Sequence, residues 1–208
     1  MNHLPPTRRG EARERLLELA EEAVLAKGFA ATSIDELVAA AGITKSGFFY
    51  HFRDKNTLAK AMLLRYLERD KALLDDLFSR ADELNEDPLH GFLVGLKMFA
   101  ELLADLPDNY PGCLAASFCY QDQLFDAEIR ALNAEGMLDW RRRFRSRFEA
   151  IATRYPPWEP VDLDALADMA TALVEGGLIL GRALNDSRIL PGQVLLYRDF
   201  VRLLFQTV

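Results

Sequence analysis

Between Thr32 and Lys55 the chain reads Thr-Ser-Ile-Asp-Glu-Leu-Val-Ala-Ala-Ala-Gly-Ile-Thr-Lys-Ser-Gly-Phe-Phe-Tyr-His-Phe-Arg-Asp-Lys, and no other stretch restricts the fold as tightly. It predicts two short helices joined by a tight turn at Gly42. Thr32 or Ser33 caps the first helix, and Glu36 follows Ser33 at capping-box spacing. Ile34, Leu37, Val38 and Ala41 form an apolar stripe at helical spacing. Gly42 then accepts the left-handed backbone that stops the helix. Ile43 plugs the corner, and Thr44 caps a second helix from Lys45 to Phe52. That helix is too short to build a core and too aromatic for a plain surface helix. Phe49 and Phe52, three apart, are expected to face the core, leaving Lys45, Ser46, Gly47, Tyr50 and His51 mainly on other faces. An interior Gly costs a helix about 1 kcal/mol against Ala, so Gly47 implies close approach to another surface. A DNA duplex fits, because a helix-turn-helix lays such a helix in the major groove and Lys, Tyr and His donate to phosphate.

These residues carry a family resemblance. Residues 13–60 resemble the DNA-binding domain of TetR-family transcriptional regulators, through Leu16, Ala20, Val24, Gly28, Phe29, Thr32, Ile34, Leu37, Ala41-Gly42-Ile43, Thr44-Lys45-Ser46-Gly47, Tyr50, Phe52, Lys55 and Leu58. The resemblance implies that Thr44, Lys45 and Gly47, with Ser46 among them, approach bases and the groove edge. It implies that Tyr50 and His51 touch phosphates, Lys55 makes a further phosphate contact, and Thr32 or Ser33 contacts the DNA backbone from the first helix. Phe48 departs from the smaller residues common there; contact with a thymine methyl and simple packing are both open to it. The implied fold is all-α. A three-helix DNA-binding head over residues 8–55 is followed by a larger ligand-binding and dimerisation bundle over residues 56–208, about nine helices in total.

Composition agrees. Half of the 208 residues are hydrophobic, enough for a core, and no run approaches 18 uninterrupted apolar residues. The N-terminus lacks the apolar stretch of a signal peptide, and Cys113 and Cys119 make no disulfide scaffold, so a cytoplasmic protein is expected. The net charge of -7 divides unevenly: residues 1–60 hold 9 Lys+Arg against 8 Asp+Glu, and residues 61–208 hold 16 against 24. The acidic remainder would repel a duplex and orient the molecule by its other end. Arg8 and Arg9 lie on a Pro-containing arm that is either a groove-reaching segment or a solubilising tail.

Helical patterns cover most of the chain: about Arg9 to Lys27, Asn56 to Leu84, Leu89 to Leu106, Cys113 or Leu114 to about Leu124, Ala127 to Arg154, Asp164 to Leu184 and Gly192 to Gln206. Ala165, Met169, Ala172, Leu173, Gly176, Gly177, Ile179, Leu180 and Ala183, with Val194, Leu195, Tyr197, Phe200, Val201, Leu204 and Phe205, make the last two helices broadly apolar. Part of that surface fills the chain's own core. The rest predicts a homodimer through about residues 164–206, as the resemblance also implies, and a two-fold protein suits a palindromic operator.

Apolar stripes on several helices are candidates to line a ligand pocket or to fill a solid core. They comprise Phe92, Leu96, Phe99 and Leu103, then Phe118, then Leu138, Phe144 and Phe148, then Val174. The resemblance tips these towards a pocket for a small, largely apolar effector, with Tyr110, Tyr120, Gln121, Gln123 and Glu175 as candidates to orient it. Tyr110-Pro-Gly-Cys113-Leu resembles a segment of family members that respond to electrophiles or oxidants, which makes a thiolate sensor at Cys113 the alternative to a buried small side chain. In Trp140-Arg-Arg-Arg-Phe-Arg-Ser-Arg-Phe148 the aromatics recur every four residues, so the arginines form the wet face of an amphipathic helix. No phosphate loop, nucleophile elbow or metal-ligand spacing occurs; neither enzyme, cofactor nor metal is expected. The sequence therefore reads as a repressor released by a small molecule. A redox sensor with the same head is one alternative, and a helical ligand carrier or enzyme without DNA function is the other.

Overall fold

The structure, a computed structural model, describes residues 8–107 and 110–205. Those residues form nine α-helices and one 3-10 turn and include no strand. In chain order the helices are α1 (Arg8–Lys27), α2 (Ile34–Ala41), α3 (Lys45–His51), α4 (Lys55–Leu84), α5 (Pro88–Ala104), α6 (Leu114–Tyr120), α7 (Ala127–Arg154), α8 (Leu163–Leu184) and α9 (Ile189–Phe205), with the 3-10 turn at Asp122–Leu124. The arm before Arg8, and the side chains of Arg8 and Arg9, lie outside the described residues. Only α9 starts clearly earlier than its pattern indicated, at Ile189 rather than Gly192. Pro191 falls within its first turn, where the missing N–H has no helical partner to lose.

The chain divides into two compact bodies. One comprises Met1–Glu68 with Cys113–Ala134, the other Arg69–Gly112 with Glu135–Val208. The first body's core draws on Leu16, Leu17, Ala20 and Val24 of α1, Leu37 and Val38 of α2, and Phe48 of α3. It also needs Leu58, Met62 and Leu63 of α4, and Leu114, Phe118, Phe125 and Ile129 from the later segment. Phe118 stacks on Phe125 at 4.2 Å, and both rings lie against Phe29, at 6.3 and 4.8 Å. Gln121 Oε1 accepts the Ala30 N–H at 3.3 Å. Arg65 of α4 ties the same body to α1 through ion pairs with Glu14, Glu18 and Glu21.

In the second body Phe78 stacks on Phe92, and Phe144 and Phe148 meet Phe92 edge-on. The Tyr197 hydroxyl, buried among these helices, donates to the Leu166 carbonyl at 2.7 Å. Gly177 lets α8 pass close to α9: a Cβ there would stand 3.0 Å from Leu190 Cα. Asp87 caps α5, accepting the Leu89 and His90 N–H groups, and its other oxygen takes the Tyr155 hydroxyl at 2.6 Å. The arginines of α7 are more than a wet face. Arg141 pairs with Asp168, Arg142 with Glu135 and Asp139, Arg143 with Asp75, Arg145 with Glu149 and Asp164, and Arg147 with Asp82. One row on α8 and α9 stays uncovered within the chain: Ile179, Leu180 and Leu184, then Leu196, Phe200 and Leu203.

Candidate nucleic-acid interface

Each joint of the helix-turn-helix is set by a local side chain. Ser33, in extended backbone, accepts the Glu36 N–H on its hydroxyl at 3.1 Å and so caps α2. Gly42 adopts φ 65° and ψ 32°, a left-handed residue that turns the chain out of α2. Thr44 caps α3 by accepting the Gly47 N–H at 3.2 Å. Asp54 caps α4, accepting both the Thr57 N–H at 2.7 Å and the Thr57 hydroxyl at 2.8 Å. Those two bonds, with help from Arg53, hold the Asp54 carboxyl down at about 2.

The faces of α3 differ from the spacing argument in one respect. Phe48, not Phe49, is the inward ring: Phe48 is 0% exposed and Phe49 51%. Phe52 also faces the core but sits in extended backbone at the helix end, so the inward pair is spaced by four rather than three. Phe48 is therefore excluded as a thymine contact, since its ring is consumed by packing on Phe52 and the core. Outward stand Thr44, Lys45, Ser46, Phe49 and Tyr50, with Gly47 and His51 partly exposed. Spacing alone does not separate Phe48 from Phe49 as the partner of Phe52, because i,i+3 and i,i+4 are equally good helical spacings.

Gly47 has no internal reason to be Gly. A Cβ there would meet nothing nearer than Ile43 Cβ at 3.5 Å, an ordinary contact, and the residue lies in right-handed helix. Lys45 pairs with Asp35 across the turn at 2.7 Å with both groups exposed, an association worth at most about 1 kcal/mol and readily exchanged for a phosphate. Lys55 is drawn inward. Its ammonium donates to the Phe29 carbonyl and lies 4.2 Å from the Phe29 ring centroid, and burial lowers its pKa. Thr32 is buried, with its hydroxyl donating to the Gly28 carbonyl at 3.0 Å, so of the two capping candidates Ser33 holds the surface position.

The expected ligand residues fall in both bodies. Cys113, Phe118 and Gln121 belong to the first body, where Phe118 fills its core. Phe92, Leu96, Phe99, Phe144 and Phe148 interlock in the core of the second, with Val174 packed at its edge. Ring-to-ring contact, rather than open space, takes up those stripes. Leu103 and Tyr110 do line a cleft of about 820 Å³, together with Leu106, Gly177, Leu178, Arg182, Asn185, Asp186, Ser187, Arg188 and Leu190. Glu175 is not among its lining residues. Cys113 caps α6, its sulfur accepting the Ala116 N–H at 3.5 Å and the Tyr66 hydroxyl at 3.4 Å. Among the described residues no cluster of His, Cys, Asp and Glu is arranged to hold a metal ion, and no helix is long and apolar enough to cross a membrane.

An outward-facing short helix on a capped helix-turn-helix, in a chain whose described residues are otherwise helices and loops, defines the class of helix-turn-helix DNA-binding proteins. Comparison with known proteins narrows the class. Residues 16–62 match the model for bacterial regulatory proteins of the tetR family. The HTH-type transcriptional regulator TtgR of Pseudomonas putida is 32% identical over 188 residues, covering 88% of this chain and 86% of that protein. A probable HTH-type transcriptional regulator of Pseudomonas putida, ArpR, is 27% identical over 190 residues with the same coverage. A TetR-family regulator from Agrobacterium tumefaciens shares the fold, with a TM-score of 0.78 at 16% identity over 96% of this chain and 100% of that one. The chain belongs to the TetR family of transcriptional regulators.

Proposed function

We propose that the protein is a cytoplasmic repressor that binds a palindromic operator as a homodimer and leaves it when a small, largely apolar effector binds. The observation that carries the DNA contact is Gly47, a first-turn Gly that the fold itself does not require, on the exposed side of α3. Its use lies outside the chain, where a duplex can press against the bare backbone. Ser33, Thr44, Lys45, Ser46, Tyr50 and His51 then surround the approach, and Lys55, whose ammonium keeps further donors beyond its bond to Phe29, supports the edge. Residues 8–55 carry the DNA function, and the effector and dimer functions fall within 56–208.

The exposed large apolar residues of α8 and α9 support the dimer, since so many on one packed helix pair are normally buried against a partner. The cleft at Leu103, Tyr110 and Arg182 is the candidate effector site, where Leu106, Leu178 and Leu190 stand beside the polar Arg182, Asn185, Asp186 and Arg188. A coupling of about 1–3 kcal/mol between effector and operator is enough for release. Titrating salt in a gel-shift with the chain's own upstream DNA tests the reading. Tight, sequence-selective binding is expected, and Tyr50→Ala should lower the salt slope by about one. Weak binding indifferent to sequence would discard it.

The sensor reading keeps one supporting observation, the Cys113 sulfur at the start of α6 under the Tyr66 hydroxyl. Release of operator by an electrophile that persists unchanged in Cys113→Ser removes it.

A further inference from the structure

We propose that Phe49 reads sequence, its exposed ring packing against the 5-methyl group of a thymine in the major groove. This rests on the DNA-binding reading above and adds a specificity determinant to it. Phe49 is half exposed in the middle of α3, and its neighbours one turn back, Lys45 and Ser46, are exposed as well. It therefore shares the helix face that a duplex would meet.

The ring is also held in place. Phe48, fully buried, presents its own ring edge-on to Phe49 at 5.4 Å and 89°. One side of Phe49 leans on a fixed wall, and a supported aromatic gives up little freedom on binding. Packing the core does not require this second ring, because Phe48 and Phe52 already fill the inward positions.

Chemistry then selects the target. A phenyl ring has no donor or acceptor, so it satisfies neither a phosphate oxygen nor a polar base edge. Purines offer acceptors in the major groove, and cytosine offers an amino donor; covering either with a phenyl ring removes water and returns no hydrogen bond. The thymine methyl is the one major-groove group that gains by contact with it. Gly47 removes the side chain that would otherwise hold the helix back at this level. The expected result is one T·A preference in each half-site.

The test uses the full chain. Bound duplexes are selected from a random pool. The consensus duplex is then remade with each thymine in turn replaced by deoxyuridine, which deletes the methyl and keeps every hydrogen-bonding group. At one symmetry-related pair of positions the wild-type protein should lose about fourfold in affinity for each methyl removed. Phe49→Ala should lose nothing further there, and its own selected sites should drop the thymine preference. Phe49→Leu, still apolar, should keep it. If no uridine substitution weakens the wild-type protein, or if Phe49→Ala still selects the same thymine, the proposal is overturned. The wild-type scan decides even if a variant fails to fold. Selection of no duplex at all by the wild-type protein overturns the DNA-binding reading as well, which separates the two failures.

Discussion

At the scale of single residues, Gly47 separates stability from binding. Gly47→Ala finds room for its methyl and gains helix propensity, so the variant should be as stable as the parent or firmer by up to about 1 kcal/mol. Operator affinity should fall by about tenfold or more as the added carbon holds the helix off the groove. A thermal melt beside a binding titration reads both. Loss of stability together with binding would show that the Gly serves the fold after all. Single residues are also where the sequence was hardest to read. The caps Ser33 and Thr44 and the turn at Gly42 were legible because each is a local hydrogen-bonding or backbone requirement. The choice between Phe48 and Phe49 was not, because the side of α3 that faces inward is fixed by α1, α2 and α4 rather than by α3.

At the scale of helices, the start of α4 depends on an ionised carboxylate. Asp54 has its pKa lowered from 3.8 to about 2 by bonds that exist only in the folded chain. Its contribution is therefore complete above about pH 4 and is lost as pH falls through about 2. Protection of the Thr57 amide, its exchange measured against the intrinsic rate at each pH, should fall across that window, and Asp54→Asn should remove the acid dependence of this turn. Unchanged protection at Thr57 between pH 4 and pH 2 would detach the cap from the helix start. At α5, Asp87→Ala removes the cap and strands the Tyr155 hydroxyl, a loss of about 1–2 kcal/mol by urea denaturation. Helix positions followed closely from periodicity and punctuation. The exception, α9, shows why Pro191 misleads: a proline in a first turn looks from sequence like a helix boundary.

At the scale of the whole molecule, the prediction concerns assembly. Leu196→Glu and Leu203→Asp place charges in the uncovered row, where the parent residues are 62% and 71% exposed within one chain. Each should weaken self-association by about tenfold or more in sedimentation, while the helical signal of the monomer persists. An unchanged oligomeric state would move the interface elsewhere. The sequence showed an apolar pair of terminal helices but not which residues escape the chain's own core, since both uses draw on the same residue types. It likewise could not show that Arg141, Arg142, Arg143, Arg145 and Arg147 of α7 would each find a carboxylate, because the partners lie on α4 and α8 as well as on α7 itself.

Phe118 and Phe125 close over Phe29 from more than eighty positions further along the chain. Anyone grafting this reading head onto a different sensor must transplant two stretches of polypeptide. An excised N-terminal fragment would carry a bare greasy flank around Phe29 and a backbone N–H at Ala30 without its glutamine, and should clump unless residues 113–134 are supplied in trans.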